Sequence, residues 1–237
     1  MPLIEVTDLR KSYGSRVAVH GVSFTVERGE IFGILGTNGA GKTTTVECLQ
    51  GLRRADGGTI SVLGLDPVAD RAALTRRVGV QLQESRLPAK LRVREALELF
   101  ASFYPDPADV DVLLDRLGLR EHACRSFGKL SGGQKQRVSV ALALVGQPEL
   151  AILDELTTGL DPHARRETWE LVEGIRATGV TVLLVTHFMD EAERLCDRVA
   201  IFDAGRVVAT GTPGGLRQSV NASTLDDAFV SLTRSAR

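Results

Sequence analysis

The sequence contains few cysteines and no long uninterrupted apolar run. Its three cysteines, Cys48, Cys124 and Cys196, are far apart and odd in number. We therefore expect neither a disulfide framework nor a paired-cysteine metal site, and we expect a reduced, cytosolic protein. No apolar run reaches the length of about 18 residues that spans a bilayer, so the chain is not expected to cross a membrane by itself. The opening MPLIEVTDLRK lacks the basic and apolar regions of a signal peptide, and none is expected.

The sequence also lacks an excess of positive charge. It has 29 Lys and Arg against 30 Asp and Glu, which gives a formal net charge of −1. Proteins that bind nucleic acids carry basic surfaces, so we predict no nucleic-acid partner. The 43% of hydrophobic and 25% of charged residues are typical of a globular protein. A length of 237 residues suits one large domain, or one domain with an inserted lobe.

What the chain does contain is a succession of strand and helix patterns. Alternation at 3–6 and 22–26 predicts short antiparallel strands, and further strands are predicted at 31–35, 59–63, 78–82, 150–153, 180–185 and 199–202. Between 91 and 146 no strand is predicted, because apolar residues recur there at helical spacing: Leu97, Leu99, Phe100, Val112, Leu113 and Leu117. Strands that alternate with helices predict a parallel sheet covered by helices.

The strongest single motif lies between the strand at 31–35 and a helix predicted at 43–49. It fits G-x-x-x-x-G-K-[ST] and consists of Gly36, Thr37, Asn38, Gly39, Ala40, Gly41, Lys42 and Thr43. In such a loop backbone N–H groups surround phosphates, the lysine reaches the β and γ oxygens, and the threonine hydroxyl binds Mg²⁺. The motif predicts a nucleoside triphosphate site.

Polar side chains follow three of the predicted strands. Asp154 ends the strand at 150–153, where an aspartate can hold Mg²⁺, and Glu155 comes next, where a carboxylate can accept a proton from water. Gln83 and His187 follow other strands and are candidates for sensing the γ-phosphate. Gln81 competes with Gln83 for that role.

A second anion-binding helix end is predicted at Ser131-Gly132-Gly133. Serine is a good N-cap, but glycine in a helix costs about 1 kcal/mol relative to alanine. The bare backbone therefore suggests an approaching anion. This end and the phosphate loop could converge within one chain. Alternatively, two copies could pair so that each Ser131 end caps the phosphate held by the partner's loop.

In this order, the phosphate loop, Gln83, LSGGQ at 130–134, ILDE at 152–155, GLD at 159–161 and His187 resemble an ABC-transporter nucleotide-binding domain. The resemblance covers nearly the whole chain, and LSGGQ is highly specific. It implies ATP and Mg²⁺ as cofactors and ATP hydrolysis as the activity. Two residues depart from the family's usual proline, Thr37 in the phosphate loop and Leu156 after the glutamate; the second puts the turn that follows in question.

The resemblance also assigns roles to residues. Tyr13 would stack on adenine, although from the sequence alone core packing is the more common role of such a residue. Thr44 would add a phosphate contact, Glu155 would be the catalytic base, and His187 and Gln83 would assist it. The implied Mg²⁺ ligands are Thr43, Gln83 and Asp154. The implied contacts to a partner's ATP come from Ser131, Gly132, Gly133, Gln134 and Asp161.

The expected fold is α/β: a P-loop NTPase core with a mostly parallel sheet flanked by helices, an N-terminal antiparallel β subdomain and an inserted α-helical subdomain. We expect one domain over 1–237. Its predicted parts are antiparallel strands in 1–30 and 57–65, the core in 31–56, 66–86 and 147–210, the helical subdomain in 87–146 and a helical tail in 211–237.

The implied function is the ATPase subunit of a transporter, a peripheral protein on the inner face of the cell membrane. It would work as a homodimer, or as a heterodimer with a sister ATPase, on separate transmembrane permease subunits. The segments 59–67, 79–85 and 224–233 are similar to exporters of drugs and polysaccharides, so export of a small molecule, lipid or polysaccharide is expected. The alternatives are an importer ATPase, a soluble ATPase acting on ribosomes or DNA, and a regulatory module without turnover.

Overall fold

The computed structural model describes residues 1–81 and 87–235. Its strands are β1 Ile4–Tyr13, β2 Arg16–Val26, β3 Ile31–Gly36, β4 Gly57–Val62, β5 Val78–Gln81, β6 Leu150–Asp154, β7 Thr181–Thr186, β8 Arg198–Asp203 and β9 Arg206–Gly211. Its α-helices are α1 Lys42–Leu49, α2 Arg71–Leu74, α3 Val93–Ala101, α4 Val110–Arg116, α5 Gly132–Leu144, α6 Pro162–Ala177, α7 Met189–Leu195, α8 Pro213–Ser219 and α9 Leu225–Ser235. The chain divides into two compact units, a first of Met1–Thr75 with Leu183–Arg237 and a second of Arg76–Val182.

The first unit contains the predicted antiparallel sheet, in the order β2-β1-β4. Both partners of β1 run antiparallel to it, with Ile4 opposite Val26 on one side and Val62 on the other. Alternate residues of β1, such as Ile4 and Val6, are buried, as the alternation in the sequence predicts.

A second sheet of the first unit carries the phosphate loop. Its order is β7-β3-β8-β9, with β3 parallel to β8 and β9 antiparallel to β8. All six residues of β3 are buried, which explains its continuous apolar sequence. The ring of Phe24 stacks on Phe32 at 5.5 Å and meets Phe202 edge-on at 6.3 Å, so aromatic packing joins the two sheets. The antiparallel edge strand β9 was not predicted.

The second unit combines two parallel strands with helices. In the pairing of β5 with β6, Val78 lies opposite Leu150 and Gln81 opposite Leu153. A Cβ on Gly79 would lie 1.9 Å from the carbonyl oxygen of Ala143. The glycine therefore lets β5 pack directly against the backbone of α5.

Residues 91–146 are helical, as predicted. They form α3, α4, α5 and 3₁₀ turns at Arg120–His122 and Phe127–Lys129. The β-type pairing among them is one isolated antiparallel bridge between Arg92 and Ser126. Leu97 and Leu113 are buried, whereas Leu99 and Val112 are about half exposed, so the apolar spacing overstates the buried face. The predicted helical subdomain at 87–146 lies inside the second unit. Within the described residues, no helix combines the length and apolar character needed to span a bilayer.

Candidate functional site

The phosphate loop connects β3 to α1 in the first unit. Gly36 ends the strand and Lys42 begins the helix. The N-cap of α1 is Gly41, whose φ of 96° is a left-handed conformation that L side chains rarely adopt. A Cβ there would also lie 2.8 Å from the carbonyl oxygen of Ala18. The glycine is therefore required by the loop itself.

Lys42 crosses the inside of this loop. Its Nζ donates hydrogen bonds to the carbonyl oxygens of Gly36 at 2.7 Å and Thr37 at 3.2 Å, and the residue is only 6% exposed. Thr43 is exposed on the first turn of α1, and Thr44 is partly exposed beside it. No side chain caps α1. The loop therefore presents a cation, a hydroxyl group and uncapped backbone N–H groups, the set that binds phosphates.

Tyr13 lies at the end of β1 and is 42% exposed, so its ring is not part of the core. Two cations lie over the ring at 5.8 Å from its centroid, Lys11 Nζ and the guanidinium of Arg53. Each is held by a carboxylate, Lys11 by Asp56 at 2.7 Å and Arg53 by Glu47 at 3.0 Å. The ring is thus fixed and accessible, which suits stacking on a base.

His187 follows β7 directly and also belongs to the first unit. Its ring is partly buried and lies 4.1 Å from the ring of Phe188. The Phe188 N–H donates to the Thr186 hydroxyl at 3.0 Å and so shapes the turn after the strand.

In the second unit, Asp154 ends β6 and is partly exposed. Its backbone N–H donates to Oε1 of Gln81 at 3.1 Å, and Gln81 is itself buried. Gln81 therefore fixes the end of β6. Its competitor Gln83 lies outside the residues that the structure describes.

Glu155 has a φ of 48°, which is unusual for a residue other than glycine. Such strained backbone persists where the surrounding structure maintains it, and it is common at functional sites. The turn closes through a hydrogen bond from the Thr158 N–H to the Glu155 carbonyl at 3.2 Å. Leu156 is buried, with 1% exposure, so packing holds this turn without the proline that is usual in the family.

The signature motif forms the start of α5, as predicted. Ser131 is the N-cap; its Oγ accepts from the Gln134 N–H at 3.2 Å, and its own N–H donates to Gln134 Oε1 at 3.0 Å. A Cβ on Gly132 would lie 3.7 Å from Leu160, and one on Gly133 would lie 3.4 Å from Ala164. Both are ordinary contacts, so no neighbour in the described part of the chain requires glycine at either position.

A cavity of about 330 Å³ opens beside this helix end, and Asp161 also lines it. Asp161 is the N-cap of α6, and its carboxylate accepts from the N–H groups of His163 at 2.9 Å and Ala164 at 3.0 Å. These backbone hydrogen bonds, that from Ala164 first, lower the pKa of Asp161 below its ordinary value. His122 also lines this cavity, and the sequence gives no sign of it, because its place depends on how the 3₁₀ turn folds.

Comparison with known proteins agrees with these features. A family model described as ABC transporter matches residues 19–158, more than half of the chain. The chain belongs to the ABC transporter family. A Nod factor export ATP-binding protein I from Burkholderia lata is 46% identical over 222 residues, which cover 91% of this chain and 73% of that protein.

Solved structures of ABC transporter ATP-binding proteins share the fold. An ATP-binding subunit of an ABC transporter has a TM-score of 0.86 and 32% identity, over 98% of this chain and 99% of that one. A dimeric ATP-binding cassette in a post-hydrolysis state, bound to ADP and phosphate, has a TM-score of 0.78 and 25% identity, over 88% and 98%. The protein is thus the ATP-binding subunit of an ABC transporter and, like other members of the family, an ATPase.

Proposed function

We propose that two copies of this ABC transporter ATP-binding protein close on two Mg·ATP, hydrolyse them and power export through separate transmembrane permease subunits at the cytoplasmic face of the membrane. The observation that carries this proposal is the start of α5. Among residues 1–81 and 87–235, no neighbour of Gly132 or Gly133 excludes a side chain. Two glycines in the first turn of a helix leave its N–H groups accessible to an approaching phosphate, and this supports the proposal.

ATP binding is assigned to the first unit. Gly36, Thr37, Asn38, Gly39, Ala40 and Gly41 would surround the phosphates with backbone N–H groups, together with Lys42, Thr43 and Thr44. Lys42 is already held inside the loop by two carbonyl oxygens, which reduces the entropy that it loses when it binds a phosphate. Tyr13, which is 42% exposed, would stack on adenine.

The residue types that the family resemblance assigns to Mg²⁺ carry oxygen ligands that suit this ion. Thr43 offers an exposed hydroxyl group and Asp154 a carboxylate at the end of a strand, and oxygen atoms of this kind are the ligands that Mg²⁺ prefers. Gln83 is proposed as a further ligand. The ion, when bound, neutralises phosphate charge.

Hydrolysis is assigned to Glu155, as the base that accepts a proton from the attacking water. Its left-handed backbone lies in a turn that is closed by the Thr158 N–H, and the Thr158 hydroxyl donates to its carboxylate at 3.4 Å. His187 and Gln83 would orient the γ-phosphate. A glutamate at this position argues against a purely regulatory module.

The signature motif and Asp161 are assigned to the partner's nucleotide. Ser131, Gly132, Gly133 and Gln134 would cap the γ-phosphate held by the other copy, and Asp161 would line the same interface. The cavity beside α5 is bordered by all of these residues. The dimeric cassette bound to ADP and phosphate supports this arrangement by its similarity. A sister ATPase in place of the second copy would use the same contacts.

Export as the direction of transport rests on the relatives whose names specify it. We propose a small molecule, a lipid or a polysaccharide as the substrate. The permease subunits select it, because the fold of the ATPase does not determine the cargo.

The test is the oligomeric state of the Glu155→Gln protein with and without Mg·ATP, measured by size exclusion with light scattering. We expect a monomer that becomes a dimer with Mg·ATP, because nucleotide is bound but not hydrolysed, and a steady ATPase rate at least about a thousandfold below the parent. Adding Lys42→Ala should abolish the dimer. A rate that survives Glu155→Gln unchanged would show that Glu155 is not the base.

A further inference from the structure

The side-chain amide of Gln134 bonds at both of its ends. Its Oε1 accepts from the Ser131 N–H at 3.0 Å, and its Nε2 lies 2.9 Å from Nε2 of His122. An amide nitrogen can only donate, so the His122 Nε2 must be the acceptor. A histidine ring that accepts at Nε2 carries its proton on Nδ1.

The reversed amide would break one of the two hydrogen bonds between Ser131 and Gln134, the one that the Ser131 N–H donates to the side chain. If Gln134 turned its oxygen toward His122, its NH₂ group would face the Ser131 N–H, and two donors would oppose each other. The reciprocal hydrogen bonds between Ser131 and Gln134 exist in one amide orientation alone, and the acceptor at His122 favours that orientation.

Histidine is a costly residue at this position if it serves packing alone. Nδ1 is buried, and within residues 1–81 and 87–235 it has no hydrogen-bond partner. A buried N–H without a partner is unfavourable, and an apolar side chain would avoid that cost. What histidine provides here is the acceptor at Nε2.

We propose that His122 is a positioning residue for the signature motif: its neutral imidazole holds Gln134 in the orientation that fixes the Ser131 end of α5. The inference rests on the proposed contact between this helix end and the ATP of a second copy. His122 lines the same cavity as Ser131, Gly133 and Asp161, yet it acts through Gln134 and touches no reacting atom in this arrangement.

The ring tautomer tests the proposal without any dimer. In protein labelled with ¹⁵N-histidine, at a pH where the ring is neutral, we expect the His122 resonances to show a protonated Nδ1 and an unprotonated Nε2. His122→Gln, which lacks these resonances, assigns them. A proton on Nε2 would overturn the proposal, because that ring could not accept from Gln134.

The effect on dimerisation is measured in the Glu155→Gln protein with Mg·ATP. His122→Leu removes one hydrogen bond from each copy, and we expect the dimerisation constant to fall about thirtyfold. His122→Gln keeps an acceptor oxygen and should stay within about threefold of the parent. Glu121→Gln, on the exposed neighbouring side chain, is the matched control and should change nothing.

Two outcomes separate this inference from the proposed function. Equal dimerisation of the parent and His122→Leu would refute the positioning role and leave the dimer intact. If the parent itself stayed monomeric, the homodimer would be refuted, and the ring tautomer would decide the role of His122. Nucleotide affinity of the monomer should be the same in all variants, since the phosphate loop is untouched.

Discussion

Helices α1 and α5 both begin in glycine-rich sequence, and their glycines have different surroundings. At α1 the N-cap Gly41 has a left-handed backbone, and the Ala18 carbonyl oxygen occupies the space that a Cβ would need. No side chain caps this helix. At α5 the N-cap Ser131 is bonded in both directions to Gln134, while Gly132 and Gly133 have room for a methyl group. Glycine at α1 is required by the backbone conformation, whereas the neighbours of the α5 glycines leave room for a side chain, and we propose that these glycines serve an approaching phosphate.

The difference also separates two ways of preparing an anion site. The α1 loop closes around Lys42, whose Nζ donates to two carbonyl oxygens of the loop itself. The α5 end is open, since Ser131 and Gly132 are exposed. An enclosed site can bind nucleotide within one chain, while an open one needs a partner to bring the ligand. The predictions below test this distinction, from the largest effect to the smallest.

The largest effect is expected when the cation of the α1 loop is removed. Lys42→Ala should weaken ATP binding about a hundredfold, because charge-assisted hydrogen bonds to phosphate oxygens are lost. Lys135→Ala, in α5, is the matched control and should leave the affinity of the monomer within about twofold. Titration calorimetry measures the ATP affinity of both variants. An equal loss of affinity in the two would contradict the proposal that a single chain binds ATP through the α1 loop and not through the start of α5.

A methyl group added at the start of α1 should lower the free energy of unfolding, whereas one added at the start of α5 should not. Gly41→Ala forces a left-handed alanine against the Ala18 carbonyl, and we expect the free energy of unfolding to fall by about 1–3 kcal/mol or more. Gly133→Ala should leave it unchanged or raise it by at most about 1 kcal/mol, since alanine favours helix.

Gly133→Ala should nevertheless weaken ATP-driven dimerisation at least about tenfold in the Glu155→Gln background, because the methyl group occupies the approach of the phosphate. Urea unfolding and light scattering give the two quantities. Normal dimerisation of Gly133→Ala would mean that the open helix end does not contact nucleotide.

The N-cap of α6 predicts a dependence on pH. Backbone hydrogen bonds lower the pKa of Asp161 below its ordinary value of 3.8, so its carboxylate stabilises the fold above that pH, and the stabilisation is lost as the pH falls through the folded pKa. Asp161→Ala should therefore lower the urea midpoint at pH 7. At pH 2–3 the difference between the two proteins should shrink, and a constant difference would exclude the carboxylate as its origin.

The smallest effect concerns thiol labelling. Cys48, on α1, is buried, and burial raises its pKa to about 11. Burial likewise raises the pKa of Cys196, whereas Cys124, ahead of α5, is exposed. Iodoacetamide at pH 7.5 should therefore modify Cys124 alone in the native protein and all three cysteines after unfolding. Mass spectrometry of the peptides identifies the sites.

Much of the fold follows from the sequence, because local patterns carried it. The buried run at 31–35, the glycine-rich loop and the helix after it agree with the structure within a residue or two. The edge strand β9 was missed, since its partly exposed residues give no clear alternation. Leu99 and Val112 show that helical spacing identifies a helix without fixing which apolar residues it buries.

The sequence by itself determined the family, the positions of the strands other than β9 and the residue types available for chemistry. Glycine spacing, capping residues and hydrophobic period act over a few neighbours, so they can be recognised in the sequence. Three features were decided only by the tertiary structure. The side chain of Gln81 accepts a hydrogen bond from the last residue of β6, and Leu156 is buried where the family usually has proline. The side chain of His122 lies within hydrogen-bond distance of Gln134. These contacts join residues that are brought together by folding, and no local pattern records which donor will meet which acceptor.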